Sequence, residues 1–277
     1  MSTRIDTALH QRGLASSRTH ARRIVEEGRA LINGARARRA SAPVGPDDRL
    51  DVTGAPVGGE YASRAAHKLA GALTAFHLDD TADGSHALDL GASTGGFTDV
   101  LLRAGARTVT AVDVGTGQLI ERLRANERVR SLEQTDARTL SVDTVGHRPD
   151  LIVSDVSFIS LTQIIPTISR VAADGADIVL MVKPQFEVGR GNLPKSGVVT
   201  DPALWRRAVT AVAEACAEHA LTVVGVQVST LPGQDGNREF FLHGRNTPPN
   251  PACSHHVCGM IDEAVERASG RGEGRTR

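Results

Sequence analysis

Residues 88–102 read LDLGASTGGFTDVLL. An apolar stretch carrying Asp89, a turn with glycines at 91, 95 and 96, and a second apolar run with helical spacing compose a strand, a tight turn and a helix. Small residues at such a turn let a ligand approach the backbone, and the free amides at the helix start favour a polar or anionic group. Alone, this signature fits any Rossmann-like unit. The surrounding chain decides the matter by repeating the pattern.

Strand-like runs recur at 108–115 (TVTAVDVG), 129–136 (VRSLEQTD), 150–157 (DLIVSDVS), 177–184 (DIVLMVKP), 221–229 (LTVVGVQVS) and 239–245 (EFFLHGR). Helical spacing fills 63–77 ahead of the first strand, then 97–106, 118–127, 160–172 and 201–219. Alternation of this kind predicts an α/β domain, a mostly parallel sheet with helices on both faces. The last strand follows its neighbour without an intervening helix, so it is expected to run in reverse.

In an open α/β sheet the carboxyl ends of the strands line the ligand crevice. Asp113 ends the second strand, where an acid reaches a ribose hydroxyl pair, and Asp136 ends the third, where it meets a base edge. Asp89 stands two residues before the first glycine. That placement suits S-adenosylmethionine, which has an amino group and a sulfonium but no pyrophosphate, better than a dinucleotide. Asp155 ends the fourth strand and Lys183 the fifth. Glu239 opens the last, and joins them only if that strand is reversed.

Lysine usage sharpens the candidates. The chain has 29 arginines and three lysines, Lys68, Lys183 and Lys195. Arginine never gives up its proton, whereas a desolvated ammonium shifts its pKa readily. Lys68 falls on the helix before the sheet and Lys183 at a strand end. Each candidate has a plain structural alternative: Asp155 as a helix cap, Lys183 paired with Glu187, Glu239 as a surface edge residue. Lys195 lies in a long loop and reads as exposed.

At 277 residues the chain has room for one large domain and a small module. Net charge is zero overall, yet residues 1–40 hold nine arginines against Asp6, Glu26 and Glu27. Such a module is a candidate for nucleic-acid contact. Its reading is two helices, in which Ile5, Leu9 and Leu14 share a side and Ser16 and Ser17 cap the second, followed by short strands around Asn33-Gly34 and 49–54. Three cysteines make no disulfide framework, no leader is visible, and no apolar run reaches membrane length. A cytoplasmic location, no membrane and no evident protein partner are expected. The segment CSHHVC at 253–258 matches no zinc spacing, so no metal is expected. The domains read as 3–54, a linker at 55–62, 63–247 and a mobile tail at 248–277 with one short helix.

The stretches SRAAHKL (63–69), LDLGASTGGFTDVLL, DVGTGQL (113–119), SDVSFISL (154–161), VKPQFEVGRG (182–191) and PGQDGNREFF (232–241) resemble the FtsJ-type ribose 2′-O-methyltransferases. RGLASSRTHARRIVEEGRALING (12–34) resembles an S4 domain, a small α+β RNA-binding module. Together they resemble the TlyA family, which joins the two and has historically carried a haemolysin label. The resemblance implies a class I methyltransferase sheet and methylation of a cytidine ribose in 16S and 23S rRNA within ribosomal subunits. It also links loss of methylation to resistance to capreomycin-type antibiotics. It maps a Lys-Asp-Lys-Glu catalytic set onto Lys68, Asp155, Lys183 and Glu239. S-adenosylmethionine would contact Asp89, Gly91, Ser93, Thr94, Gly95, Gly96, Phe97, Asp113, Asp136 and Asp155. RNA contacts are expected from Arg4, Arg18, Arg22, Arg23 and Arg36. Lys183 would either take the hydroxyl proton or stay charged and steady the alkoxide. A small-molecule O-methyltransferase and a membrane-active haemolysin are the alternatives; salt-sensitive RNA binding and liposome leakage separate them.

Overall fold

A computed structural model describes residues 2–15, 18–53, 60–233, 235–248 and 254–270, the side chains of 254 and 255 excepted. The chain divides into two compact units, 1–67 and 68–277.

In the first unit, β1 (Thr3–Arg4) leads into α1 (Ile5–Gln11) and α2 (Arg18–Glu26). The next strands are β2 (Ala30–Ile32), β3 (Ala35–Arg36), β4 (Pro43–Val44) and β5 (Leu50–Val52). Ile5 and Leu9 from α1 and Ile24 and Val25 from α2 close on Val44 and Leu50 to form the core. Asn33 and Gly34 both take positive φ (51° and 82°), the geometry of a two-residue hairpin turn, and join β2 to β3. β5 pairs antiparallel on the other side of β2. Leu14 departs from its expected place: α1 ends at Gln11, Gly13 turns the chain at φ 73°, and Leu14 is left exposed. The expected cap at Ser16 and Ser17 and most of the linker lie outside the described residues.

The second unit begins within α3 (Ala65–Ala75) and builds a seven-stranded sheet. In chain order come β6 (His86–Leu90), α4 (Gly96–Arg103), β7 (Thr108–Val112), α5 (Glu121–Arg124) and β8 (Val129–Leu132). Then follow α6 (Val142–Val145), β9 (Leu151–Ser154), α7 (Ile165–Val171), β10 (Asp177–Val182), α8 (Pro184–Glu187) and α9 (Pro202–Glu218). The unit closes with β11 (Thr222–Val228), β12 (Phe240–Arg245) and α10 (Ser254–Ala268). The strand order is β11-β12-β10-β9-β6-β7-β8. Every neighbouring pair is parallel except those made by β12, which is antiparallel to both β10 and β11.

This topology sets the site. Strand order reverses beside β6, and the carboxyl ends of β6 and β9 meet with Leu90 opposite Ser154. Because β12 is reversed, its first residue Phe240 lies opposite Val182. Glu239 and Lys183, one step beyond each, therefore arrive at the same sheet edge.

Three sequence expectations are corrected. The helix over 118–127 shrinks to α5, because 113–120 is spent wrapping the glycine turn: Leu119 and Leu123 sit where a Cβ on Gly95 would fall, 2.7 and 2.3 Å away. The helix over 160–172 breaks into a 3₁₀ turn (Leu161–Gln163) and α7, with Pro166 tolerated in the first turn of the latter. The tail is no loose appendage over 254–270. It forms the fifteen-residue α10, which buries Ile261, Ala264, Val265 and Ala268 in the main core.

Candidate active site

Two ion pairs stand at the carboxyl edge of the sheet. Lys68, on α3, donates to Glu239 Oε2 at 2.5 Å. Lys183, at the end of β10, lies 2.6 Å from Asp155 Oδ1 and donates to Ser157 Oγ at 2.8 Å. The Asp155 contact is an ion pair outside hydrogen-bond angles, since its Oδ1 has no hydrogen-bond donor among the described residues. Lys68 and Lys183 are each 8% exposed and Glu239 3%. Burying three charges and half-burying a fourth is costly unless each is paired, and here each is. Burial pushes the Asp155 carboxyl above its ordinary range, although Lys183 and Lys68 pull it down. The influence of Lys68 and Glu239 on Asp155 places all four groups in one electrostatic neighbourhood. The alternative pairing of Lys183 with Glu187 is overturned. Glu187 instead accepts from Ser160 Oγ at 2.5 Å and Leu161 N at 2.9 Å, fixing the loop that follows Asp155.

The glycine turn adjoins this centre. Gly91 has φ 84°, and a Cβ there would come within 2.9 Å of the Asp155 carbonyl oxygen, so the close approach of β6 and β9 requires glycine. Ser93 (φ 46°) donates its amide to Asp113 Oδ2 at 2.8 Å, and Gly115 donates to Asp113 Oδ1 at 2.7 Å. Thr94 accepts from Ile120 N through its carbonyl. Gly96 opens α4, while Phe97 is buried near Phe241 and faces the core. A crevice runs past Gly91, Asp113, Asp136, Val156 and Ile164. Asp136 borders it but is held by Arg138, which donates from its backbone amide and its guanidinium.

Asp89 lies beneath the turn, fully buried. Thr98 Oγ1 donates to its Oδ2 at 2.6 Å, and its Oδ1 has no partner among the described residues. Burial pushes its carboxyl up to about 7, helped by the neighbouring charges of Asp155 and Asp113 and opposed by Thr98. Asp113 and Asp136 border the crevice, and the charges of Asp113 and Asp155 are felt by Asp89 beneath the turn. That arrangement welcomes a cationic ligand and repels a pyrophosphate.

Sequence reasoning missed Ser157, Thr98 and Phe158. Phe158 is 92% exposed, takes φ 65° and tilts against Phe186 with ring centroids 5.2 Å apart. An exposed aromatic in a left-handed conformation is a strained placement. Its signal was a phenylalanine three residues past a strand-end acid, in a chain of eight aromatics.

In the first unit, Arg4, Arg18 and Arg22 converge on buried Asp6. Arg4 binds it in two-pronged fashion at 3.0 and 2.8 Å, with Arg18 and Arg22 at 4.0 and 3.8 Å. All three keep much of their surface open to solvent. Arg36 is exposed on β3. Arg23 is engaged elsewhere, by Glu60 and Glu27.

Residues 61–246 match the FtsJ-like methyltransferase family and residues 3–50 the S4 domain. The chain is 45% identical to the 16S/23S rRNA (cytidine-2′-O)-methyltransferase TlyA of Mycobacterium tuberculosis, over 97% of this chain and 98% of that one. It is 34% identical to Hemolysin A of Brachyspira hyodysenteriae, over 87% and 98% of the two. A solved structure from Streptococcus thermophilus, described as a hemolysin, superposes with a TM-score of 0.71 at 35% identity, covering 98% of this chain and 96% of the other.

Proposed function

The chain belongs to the TlyA family of S4-bearing, FtsJ-like methyltransferases, and on that premise we infer that it methylates the 2′-hydroxyl of a cytidine in ribosomal RNA. The observation that carries this reading is the doubled ion pair, Lys68–Glu239 and Lys183–Asp155, beside the glycine turn. S-adenosylmethionine fits as the donor. Its ammonium and sulfonium suit a crevice bordered by Asp113 and Asp136, with Gly91 in its wall, where the missing Cβ lets the Asp155 backbone close on the turn. When bound, it supplies an electrophilic methyl group.

A ribose hydroxyl is a weak nucleophile, so its proton must leave as the new C–O bond forms. The ion pair of Lys183 with Asp155 favours a role for the lysine in steadying the developing alkoxide. The hydroxyl proton then passes to Asp155, whose carboxyl burial has made more basic. Lys68 and Glu239 pair with each other near Asp155, and their charges act on its carboxyl in opposite senses. Phe158 offers an open ring on which an unstacked base can lie, supporting a flipped nucleotide as substrate. The exposed arginines around Asp6 suit RNA phosphates, which a small-molecule methyltransferase would have no use for. The hemolysin names of some relatives find no counterpart in a spanning segment: among the described residues no helix is long and apolar enough to cross a membrane.

The test is transfer of labelled methyl from S-adenosylmethionine to purified 30S, 50S and 70S particles. Label is expected in RNA, with Lys183→Ala slowing transfer by about 10²–10³-fold while cofactor affinity holds. Cofactor binding without label on any particle would redirect the search to a small-molecule acceptor.

A further inference from the structure

Glu239 reaches Lys68 through a space that a single hydrogen atom keeps open. A Cβ built on Gly233 would lie 2.7 Å from Glu239 Oε1 and 3.2 Å from its carboxyl carbon. Gly233 does not have a left-handed φ, unlike Gly236 three residues on (φ 92°). Its backbone would accept an alanine; the space beside it would not.

Nothing nearby can give way at low cost. The Glu239 carboxylate is 3% exposed and its other oxygen is committed to Lys68 at 2.5 Å. Its main chain is fixed as well, since Ser229 N donates to Glu239 O at 2.8 Å. The loop carrying Gly233 is pinned in turn. Gly233 N donates to Asn237 O at 2.8 Å and Gly236 N to Gly233 O at 3.0 Å. Asn237, itself buried, accepts from Val199 N at 2.9 Å and donates to Gly197 O at 3.0 Å. An added methyl group could therefore be absorbed only by turning the carboxylate away from Lys68.

We propose that Gly233 is a positioning residue of the catalytic centre, acting through Glu239 by leaving its carboxylate room to face Lys68. This rests on the assignment of Lys68 and Glu239 to the catalytic set. Gly233 touches neither substrate nor cofactor. Its influence is on the orientation of one charged pair, and displacements of about 1 Å at such centres cost roughly 100-fold in rate.

The experiment is a double-mutant cycle on the full chain, with Gly233→Ala, Glu239→Asp and the two combined. Single-turnover methyl transfer to ribosomal particles, S-adenosylmethionine affinity and melting temperature are read for each. Gly233→Ala is expected to lower the transfer rate about 100-fold with cofactor affinity and the KM for particles unchanged. Glu239→Asp shortens the side chain by one methylene and withdraws it from the clash. In that background Gly233→Ala is expected to cost less than twofold more. Equal losses in both backgrounds would assign the glycine to the turn itself and overturn the proposal, as would wild-type turnover by Gly233→Ala alone. If Gly233→Ala fails to fold, the combined variant decides: folding recovered with Glu239→Asp supports the steric reading, and failure in both backgrounds overturns it. Full transfer by Glu239→Asp and Lys68→Ala together would instead sink the catalytic assignment and leave the steric coupling to be read from the melting temperatures.

Discussion

At the scale of single residues, Asp89 makes the sharpest demand on solution behaviour. Its carboxyl is pushed up to about 7 by burial, from an ordinary value of 3.8. Between those values the folded protein holds a proton that the unfolded chain has released, so the stability of the cofactor-free protein falls as pH rises through that window. Above about 7 the full penalty is present, and below about 4 it vanishes. Asp89→Asn removes the titrating group. Denaturant unfolding from pH 4 to 8 should therefore show wild type losing stability against the variant, by at most about 1.4 kcal/mol for each pH unit within the window. Parallel profiles would mean that the carboxyl is ionised throughout. The sequence put Asp89 at the right turn, since an acid before a glycine cluster is visible in one dimension. It could not show Thr98 capping one oxygen and no described residue capping the other, because that depends on how α4 packs over β6. That Lys68, Asp155, Lys183 and Glu239 deserved notice was legible for a similar reason: strand ends and lysine scarcity are linear facts, and the structure pairs the four side chains. Which lysine pairs with which acid was not, because Lys68 and Glu239 are separated by 171 positions and meet only through the reversal of β12.

At the scale of elements, α10 carries more of the fold than its sequence advertises. Ile261 is 2% exposed, and together with Ala264, Val265 and Ala268 it seals the core near α9 and β11. Ile261→Ala should cost about 2–5 kcal/mol in denaturant unfolding, the range for a large apolar side chain removed from a close-packed site. A loss under 0.5 kcal/mol would return the helix to the status of a loose tail. The helix was undervalued in the sequence because alanines supply half of its buried face, and alanine carries little hydrophobic signal. The opposite error occurred at 118–127. There the spacing of Leu119 and Leu123 mimicked a longer helix, but those side chains serve to cover Gly95, and the backbone before Glu121 stays extended to do so. The strands were read more faithfully. Buried parallel strands are continuous apolar runs, and little besides a strand of five or six residues fits DIVLMV.

At the scale of the whole molecule, a net charge of zero conceals a division of labour. Arg18 and Arg22 are more than half exposed and share the buried carboxylate of Asp6 with Arg4. One acid among three guanidiniums orders them without cancelling their charge. If they meet RNA phosphates, replacing both by alanine should weaken binding to ribosomal particles and flatten the plot of log affinity against log salt by about one for each phosphate lost. An unchanged slope would make them a solvated helix face. The same replacements should leave the rate at saturating particle concentration untouched, because the chemistry belongs to the other unit.

The near-absence of lysine has a consequence beyond catalysis. An acylating reagent directed at side-chain amines finds three targets in the entire chain, Lys68, Lys183 and Lys195. Lys195 stands in the open, whereas the other two are buried with their nitrogens engaged by carboxylates. Most proteins answer such reagents with a blur of surface adducts. Here the mass gain at side-chain amines is expected to resolve, besides any adduct of the α-amino group, into one fast event and two slow ones, with the slow pair following the opening of the candidate site.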